Sequence, residues 1–129
     1  MSQQQFLLIV LSLIIIGAAI AVAAFLFIDH SVSANRDGVS SDLLRFSVRA
    51  YQYYVRPKTW GGGEKSFEGI DMDYITQHPQ NANGTYSIAS ATPTEVVLRG
   101  VGVERGADGN HITATMTIRP DTIFLILQN

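Results

Sequence analysis

Cysteine is absent, so the chain has no disulfide and no thiolate chemistry. Charge is absent from the whole N-terminal part: every Lys, Arg, Asp and Glu lies at or after Asp29. Proline is absent until Pro57, so nothing before it forces a helix to stop. Lysine is sparse, and the formal net charge is −2, which leaves no electrostatic footprint for nucleic acid. Catalytic groupings are also missing. His30, His78 and His111 are scattered and stand in no metal-ligand spacing. Gly61, Gly62 and Gly63 lack the following Lys-Ser or Lys-Thr of a phosphate-binding loop. Asp71 and Asp73 share a face only if that segment is a strand, and no twelve-residue calcium loop surrounds them. The expectation is a protein that is not an enzyme and needs no cofactor or metal.

What is present begins at once. Residues 3–28 read QQQFLLIVLSLIIIGAAIAVAAFLFI. Phe6 to Ile28 carries no charge, and its one hydroxyl residue is Ser12. About 20 apolar residues in helical form cross a bilayer core, and this run meets that length. A chain of 129 residues could hardly cover such a helix on all faces as a buried core element. A cleaved signal peptide fits less well, because Met1 to Gln5 lacks a basic region, although Val32-Ser33-Ala34 offers a cleavage pattern. The run therefore reads as a retained helix. Ile, Leu and Phe fill its first half, while Gly17, Ala18, Ala21 and Ala24 belong to a small-residue second half. Gly17 and Ala21 make a small-xxx-small pair that lets helices approach closely. Neither flank is basic, so the sequence is nearly silent on membrane orientation.

Ser40 to Arg56 reads as an amphipathic helix. Leu44, Val48, Tyr51 and Val55 recur at three and four, with Leu43, Ser47, Ala50 and Tyr54 beside them. Arg45, Arg49, Gln52 and Arg56 form the other face. Two arrangements fit: one helix from about Gln3 to Arg56, or two helices hinged near Gly38 with a serine cap. One internal glycine costs only about 1 kcal/mol, which favours continuity. Pro57 ends the helix by pushing residue 56 out of helical geometry. Gly61 to Gly63 reads as a flexible spot, with Trp60, Phe67 and Ile70 tacking the loop to the domain. Asp71 to Gln77 allows one helical turn, and Gln80 to Gly84 is turn material. Four strands follow: Tyr86 to Ala89, Glu95 to Glu104, His111 to Arg119, and Ile123 to Leu127 after Pro120. Ala107-Asp108-Gly109-Asn110 is a hairpin turn. Ile112, Ala114, Met116 and Ile118 alternate with threonines, so one sheet face needs an apolar partner, which the amphipathic helix supplies. The expected fold is α+β, one long helix against a small antiparallel sheet. The expected organisation is 1–28 apolar helix, 29–56 amphipathic continuation and 57–129 head. Asn83-Gly84-Thr85 matches both a plain turn and a glycan acceptor pattern, which makes Asn83 a candidate glycosylation site. The aromatics near the helix end, Tyr51, Tyr53, Tyr54 and Trp60, read as packing residues.

This layout resembles the type IV pilin-like proteins: an apolar N-terminus, a long helix with an amphipathic second half, and a small antiparallel sheet closing the chain. In motif the resemblance is carried by about the first 28 residues. It implies a structural subunit whose apolar helix half sits in the inner or cytoplasmic membrane before assembly. It further implies that this half then packs with copies of itself in an extracellular, cell-surface helical polymer. Leader removal by a dedicated peptidase and an ATPase-driven assembly machinery belong to the same expectation, and adhesion is the default role. The residues implicated in helix packing are Gln5, Phe6, Gly17, Ala18, Ala21 and Ala24. The sequence departs from the pattern at two places. Gln5 stands where a glutamate is usual if Met1 is the mature start, and Val22 stands where a helix-breaking proline is common. The alternative expectation is a membrane-anchored partner-binding module or a pseudopilin in a secretion complex.

Overall fold

The computed structural model describes residues 2–128. Its elements run α1 (Gln3–Val55), a 3-10 turn (Lys58–Trp60), α2 (Met72–Ile75), β1 (Gly84–Ala91), β2 (Val96–Arg105), β3 (His111–Ile118) and β4 (Ile123–Gln128). The chain divides into two compact units, Met1–Ser31 and Val32–Asn129. The architecture is α+β, a long N-terminal apolar helix and a four-stranded antiparallel sheet.

The first unit is helical because nothing in it competes with the helix. Proline is absent, and its single hydroxyl is consumed locally: Ser12 Oγ donates to the Leu8 carbonyl at 2.8 Å. At its start, Ser2 Oγ accepts from the Gln5 amide at 3.4 Å, a long capping contact. The most apolar 18-residue window of α1 has a mean hydropathy of 3.0 and is 0% buried. This helix is long and apolar enough to cross a membrane.

The second unit is an up-and-down meander, β1-β2-β3-β4, with every strand hydrogen-bonded to its sequence neighbour. Its core faces the C-terminal part of α1. Val39, Leu43, Phe46 and Ala50 of the helix pack with Tyr86, Val96, Leu98, Ala114, Met116 and Ile118 of the sheet. Phe67, Ile70 and Ile75 close the core from the connecting segment. The expected alternation in β3 is present, since Ile112, Ala114, Met116 and Ile118 are all buried.

Three expectations need correction. The helix face chosen by the sheet is not the Leu44, Val48, Tyr51, Val55 stripe, which stays exposed. Two apolar stripes overlap in this helix, and the sheet takes the one whose small residues, Ser47 and Ala50, allow close approach. Of the two arrangements for the helix, the favoured continuous one is present, since α1 runs through Gly38. The glycine serves contact: an added Cβ would lie 2.8 Å from Asn83 Oδ1. Gly61 to Gly63 are not a loose spot. The chain doubles back there to satisfy the orphan carbonyls of the α1 C-terminus. The Gly63 amide donates to Tyr53 O at 2.8 Å, Lys65 to Tyr54 O at 2.6 Å and Glu64 to Arg56 O at 3.0 Å. Gly61 takes the left-handed φ of +79° that begins this reversal. Trp60 does not tack the loop down, being 75% exposed, while Phe67 and Ile70 do.

Candidate assembly site

The residues expected to pack helices lie in the first unit. Gly17, Ala21 and Ala24 stand at i, i+4 and i+7, one face of the helix by its 3.6-residue period. Phe6 lies five turns before Ala24 on that same face, whereas Gln5 and Ala18 are rotated off it. Helical geometry thus brings Phe6, Gly17, Ala21 and Ala24 into one line and leaves Gln5 and Ala18 outside it. None of these side chains is covered within the chain. Ala18, Ala21 and Ala24 are exposed, Phe6 is 65% exposed, and a Cβ built on Gly17 meets nothing within 4 Å. The site is therefore a surface with vacant space over its small residues. It carries no charge and no polar group except helix-bonded Ser12, so it can only pack against something equally apolar.

A second constellation, not singled out by the sequence reading above, sits in the head. Asp42 is 1% exposed and fully bonded. Its Oδ2 accepts from Tyr86 Oη at 2.6 Å, Asn81 Nδ2 at 2.9 Å and Asn83 Nδ2 at 2.9 Å. Its Oδ1 accepts from the Arg45 guanidinium. Burial raises the cost of the Asp42 charge, but the hydrogen bonds from Tyr86, Asn83, Asn81 and Arg45 outweigh it and hold the carboxyl at about 2. Burial first, then the facing carboxylate, pushes the Tyr86 phenol well above its ordinary value. Asn35 extends the network: its Nδ2 donates to Asn83 O at 2.7 Å and its Oδ1 accepts from the Glu104 amide at 3.2 Å. The cluster is a clamp between α1, the 81–83 turn and the sheet. Every buried side-chain polar atom among the described residues has a partner, so the clamp has no open valence for a ligand.

Asn83 belongs to this clamp. Its amide nitrogen, the atom a glycan would use, points at Asp42, and its side chain packs on Gly38. The fold thus employs Asn83 as an internal donor. The signal that could have found the clamp is the lone acid, Asp42, inside the Val39, Leu43, Phe46 spacing, together with amide-rich Asn81 and Asn83. Asp71 and Asp73 flank the start of α2 and are both exposed. Among the described residues no group of three or more His, Asp or Glu converges as metal ligands would. Comparison with protein-family models, with curated proteins and with solved structures finds no match to this chain.

Proposed function

We propose that the chain is the structural subunit of an extracellular type IV pilus-like filament, built by packing of its N-terminal helices. The observation that carries this reading is the uncharged helical segment Phe6 to Ile28, whose side chains are covered by nothing in the chain. Leaving it in water forfeits on the order of 1.5–3 kcal/mol per large side chain. Lipid covers it in a membrane-inserted monomer, and identical helices cover it in a polymer. Because lipid and protein interior are similarly apolar, transfer between the two turns on packing, which the small residues Gly17, Ala21 and Ala24 favour. The partners on this reading are membrane lipid before assembly, an assembly machinery, and then copies of the chain. Repeated heterologous contacts between copies build an open polymer. Adhesion is the role most in keeping with a small head carrying no catalytic grouping.

Negative-stain electron microscopy of material sheared from the native cells, with mass spectrometry of the same fraction, tests this. Thin filaments composed mainly of this chain are expected. Recovery only in membranes, in stoichiometric complex with a different protein, would overturn the proposal in favour of an anchored partner-binding module or pseudopilin.

A further inference from the structure

The sheet of the head has two edges, and they are treated differently. Along β1, the preceding segment covers the start of the outer edge. Tyr86 N donates to Pro79 O at 2.7 Å, Asn81 N donates to Gly84 O at 2.9 Å, and Gln80 bridges Thr85. A register shift between Ile88 and Ser90 interrupts the remainder. These are the usual protections of an edge strand. The β4 edge has none. Ile123 to Leu127 is five large apolar residues in succession, without charge, proline or bulge, and all five are exposed.

The two faces of β4 are alike. Ile123, Leu125 and Leu127 stand opposite Ile118, Met116 and Ala114, on the side of the sheet that carries the core. Phe124 and Ile126 stand opposite Thr117 and Thr115, on the other side. β3 thus alternates as a strand with one wet face does, and β4 does not. The edge backbone is bare as well. β4 bonds to β3 along one side, and among the described residues no backbone bond reaches its other side.

We infer that β4 is a docking edge for the β4 of a second copy of the chain, the two strands pairing antiparallel about a two-fold axis at Leu125. Three observations select this occupant. First, a bare row of amides and carbonyls calls for a strand, because a helix or a lipid tail leaves those groups without partners. Second, that strand must be apolar on both faces, and among the described strands only β4 runs five residues without a polar one. Third, β4 matches its own reverse. Two-fold pairing sets Leu125 opposite Leu125, Phe124 opposite Ile126 and Ile123 opposite Leu127, so all five residues of each copy meet apolar residues. Beyond them Thr122 meets Gln128, and no like charges are brought together. The exposed area of the five is on the order of 500 Å² per copy, so a pair approaches the roughly 1,000 Å² of a specific interface. The contact is isologous and closes at two copies. It also reverses the direction of the second sheet, whereas copies along one polar filament share a direction. On the filament proposal it therefore joins heads of two filaments and is not the seam that builds either one.

The test uses the full chain, one copy per phosphatidylcholine nanodisc. Lipid then covers residues 6–28, and association between discs reports the heads. Sedimentation should show discs pairing as concentration rises. Ile126→Lys should weaken that pairing at least about tenfold, since lysine on an edge strand opposes pairing. Ile126 is 55% exposed on the outer face, so the core is left intact. The chain has no cysteine, and Leu125→Cys supplies a single thiol at the axis. Mild oxidation should join two copies through it, while Val48→Cys, also open but on the helix, should join few. Hydrogen exchange on the wild-type chain needs no substitution: β4 amides should slow at least about tenfold from single to paired discs. Discs that stay single up to about 100 μM, or that pair equally well with Ile126→Lys, overturn the inference. So does joining at Val48 in place of Leu125. Slow β4 exchange already in single discs assigns the cover to lipid and overturns it too. None of these readings requires a filament, so the filament proposal stands or falls separately.

Discussion

Residues 6–28 and 32–55 belong to the same helix, yet each half is helical for its own physical reason. In the first, backbone bonds form without competition and no side chain is buried. In the second, a stripe of Val39, Leu43, Phe46 and Ala50 is held against a sheet, and even a carboxylate is taken inside. The first half is defined by surroundings the chain does not itself supply. The second is defined by contacts the chain makes with itself. Identical backbone geometry therefore tells little about where stability comes from. The tally of covered side chains tells more, and it divides the chain near Ser31.

The sharpest way to break this contrast uses two adjacent residues. Leu43→Ala should destabilise the head by about 2–5 kcal/mol, the usual cost of emptying a buried leucine site. Leu44→Ala should change stability by no more than about 0.5 kcal/mol in detergent-solubilised chain, where its side chain is open. Urea titration followed by near-ultraviolet circular dichroism measures both, and equal losses would erase the distinction between the two stripes. Asp42→Ala comes next. It orphans the buried Tyr86 hydroxyl, a cost of about 1–3 kcal/mol by itself. Acid probes the same group without mutation. Asp42 titrates at about 2 when folded and near 3.9 when unfolded, so the unfolded state binds its proton more readily. Its stabilisation, roughly 2 kcal/mol, is complete above about pH 5 and is lost as pH falls through 4 toward 2. The wild-type melting temperature should fall over that window, and the Asp42→Asn variant should show a flatter dependence.

In the uncovered half, Gly17→Leu should leave membrane insertion unchanged and reduce filament yield severalfold. A Cβ built on Gly17 meets nothing within 4 Å, and lipid accepts leucine, but a close helix seam does not. Membrane fractionation beside filament counting separates the two effects, and a normal yield would show that Gly17 lies off the seam. The smallest change is expected at Thr113, half-buried on the outer face of β3, whose hydroxyl bonds only to the His111 carbonyl at 3.2 Å. Thr113→Val should shift stability by less than about 0.5 kcal/mol, and a larger shift in thermal melting would mark that face as core.

Much of the layout could be read locally. The alternation of β3, the Asp108-Gly109 turn and the stop at Pro57 each rest on neighbours in sequence, and each appears within a residue or two of its expected place. The α1 face could not be read this way. Leu44, Val48, Tyr51, Val55 and Val39, Leu43, Phe46, Ala50 have the same spacing, and periodicity alone does not say which one meets a sheet. The clamp was hidden for a related reason. Asp42 and its partners Asn81, Asn83 and Tyr86 are far apart in sequence, and an acid on a helix reads as solvated until its donors are seen. The glycine run is ambiguous in sequence, because three glycines fit a mobile linker and a tight reversal equally well. Only the Tyr53 and Tyr54 carbonyls awaiting donors distinguish the two.

The clamp also bears on time. Each strand pairs with the next in sequence, so the meander closes short loops. Asp42 reaches partners 39, 41 and 44 residues away. Closure entropy grows with loop length, which places the hairpins early and helix docking late on the folding route. Interactions absent from the transition state act on escape from the native state. Asp42→Ala should therefore steepen loss through the unfolding arm of a chevron and leave the folding arm nearly in place. The buried carboxylate is then a latch that sets how long the sheet stays docked on its helix, a property that would matter most, on the filament proposal, after the chain has left the membrane.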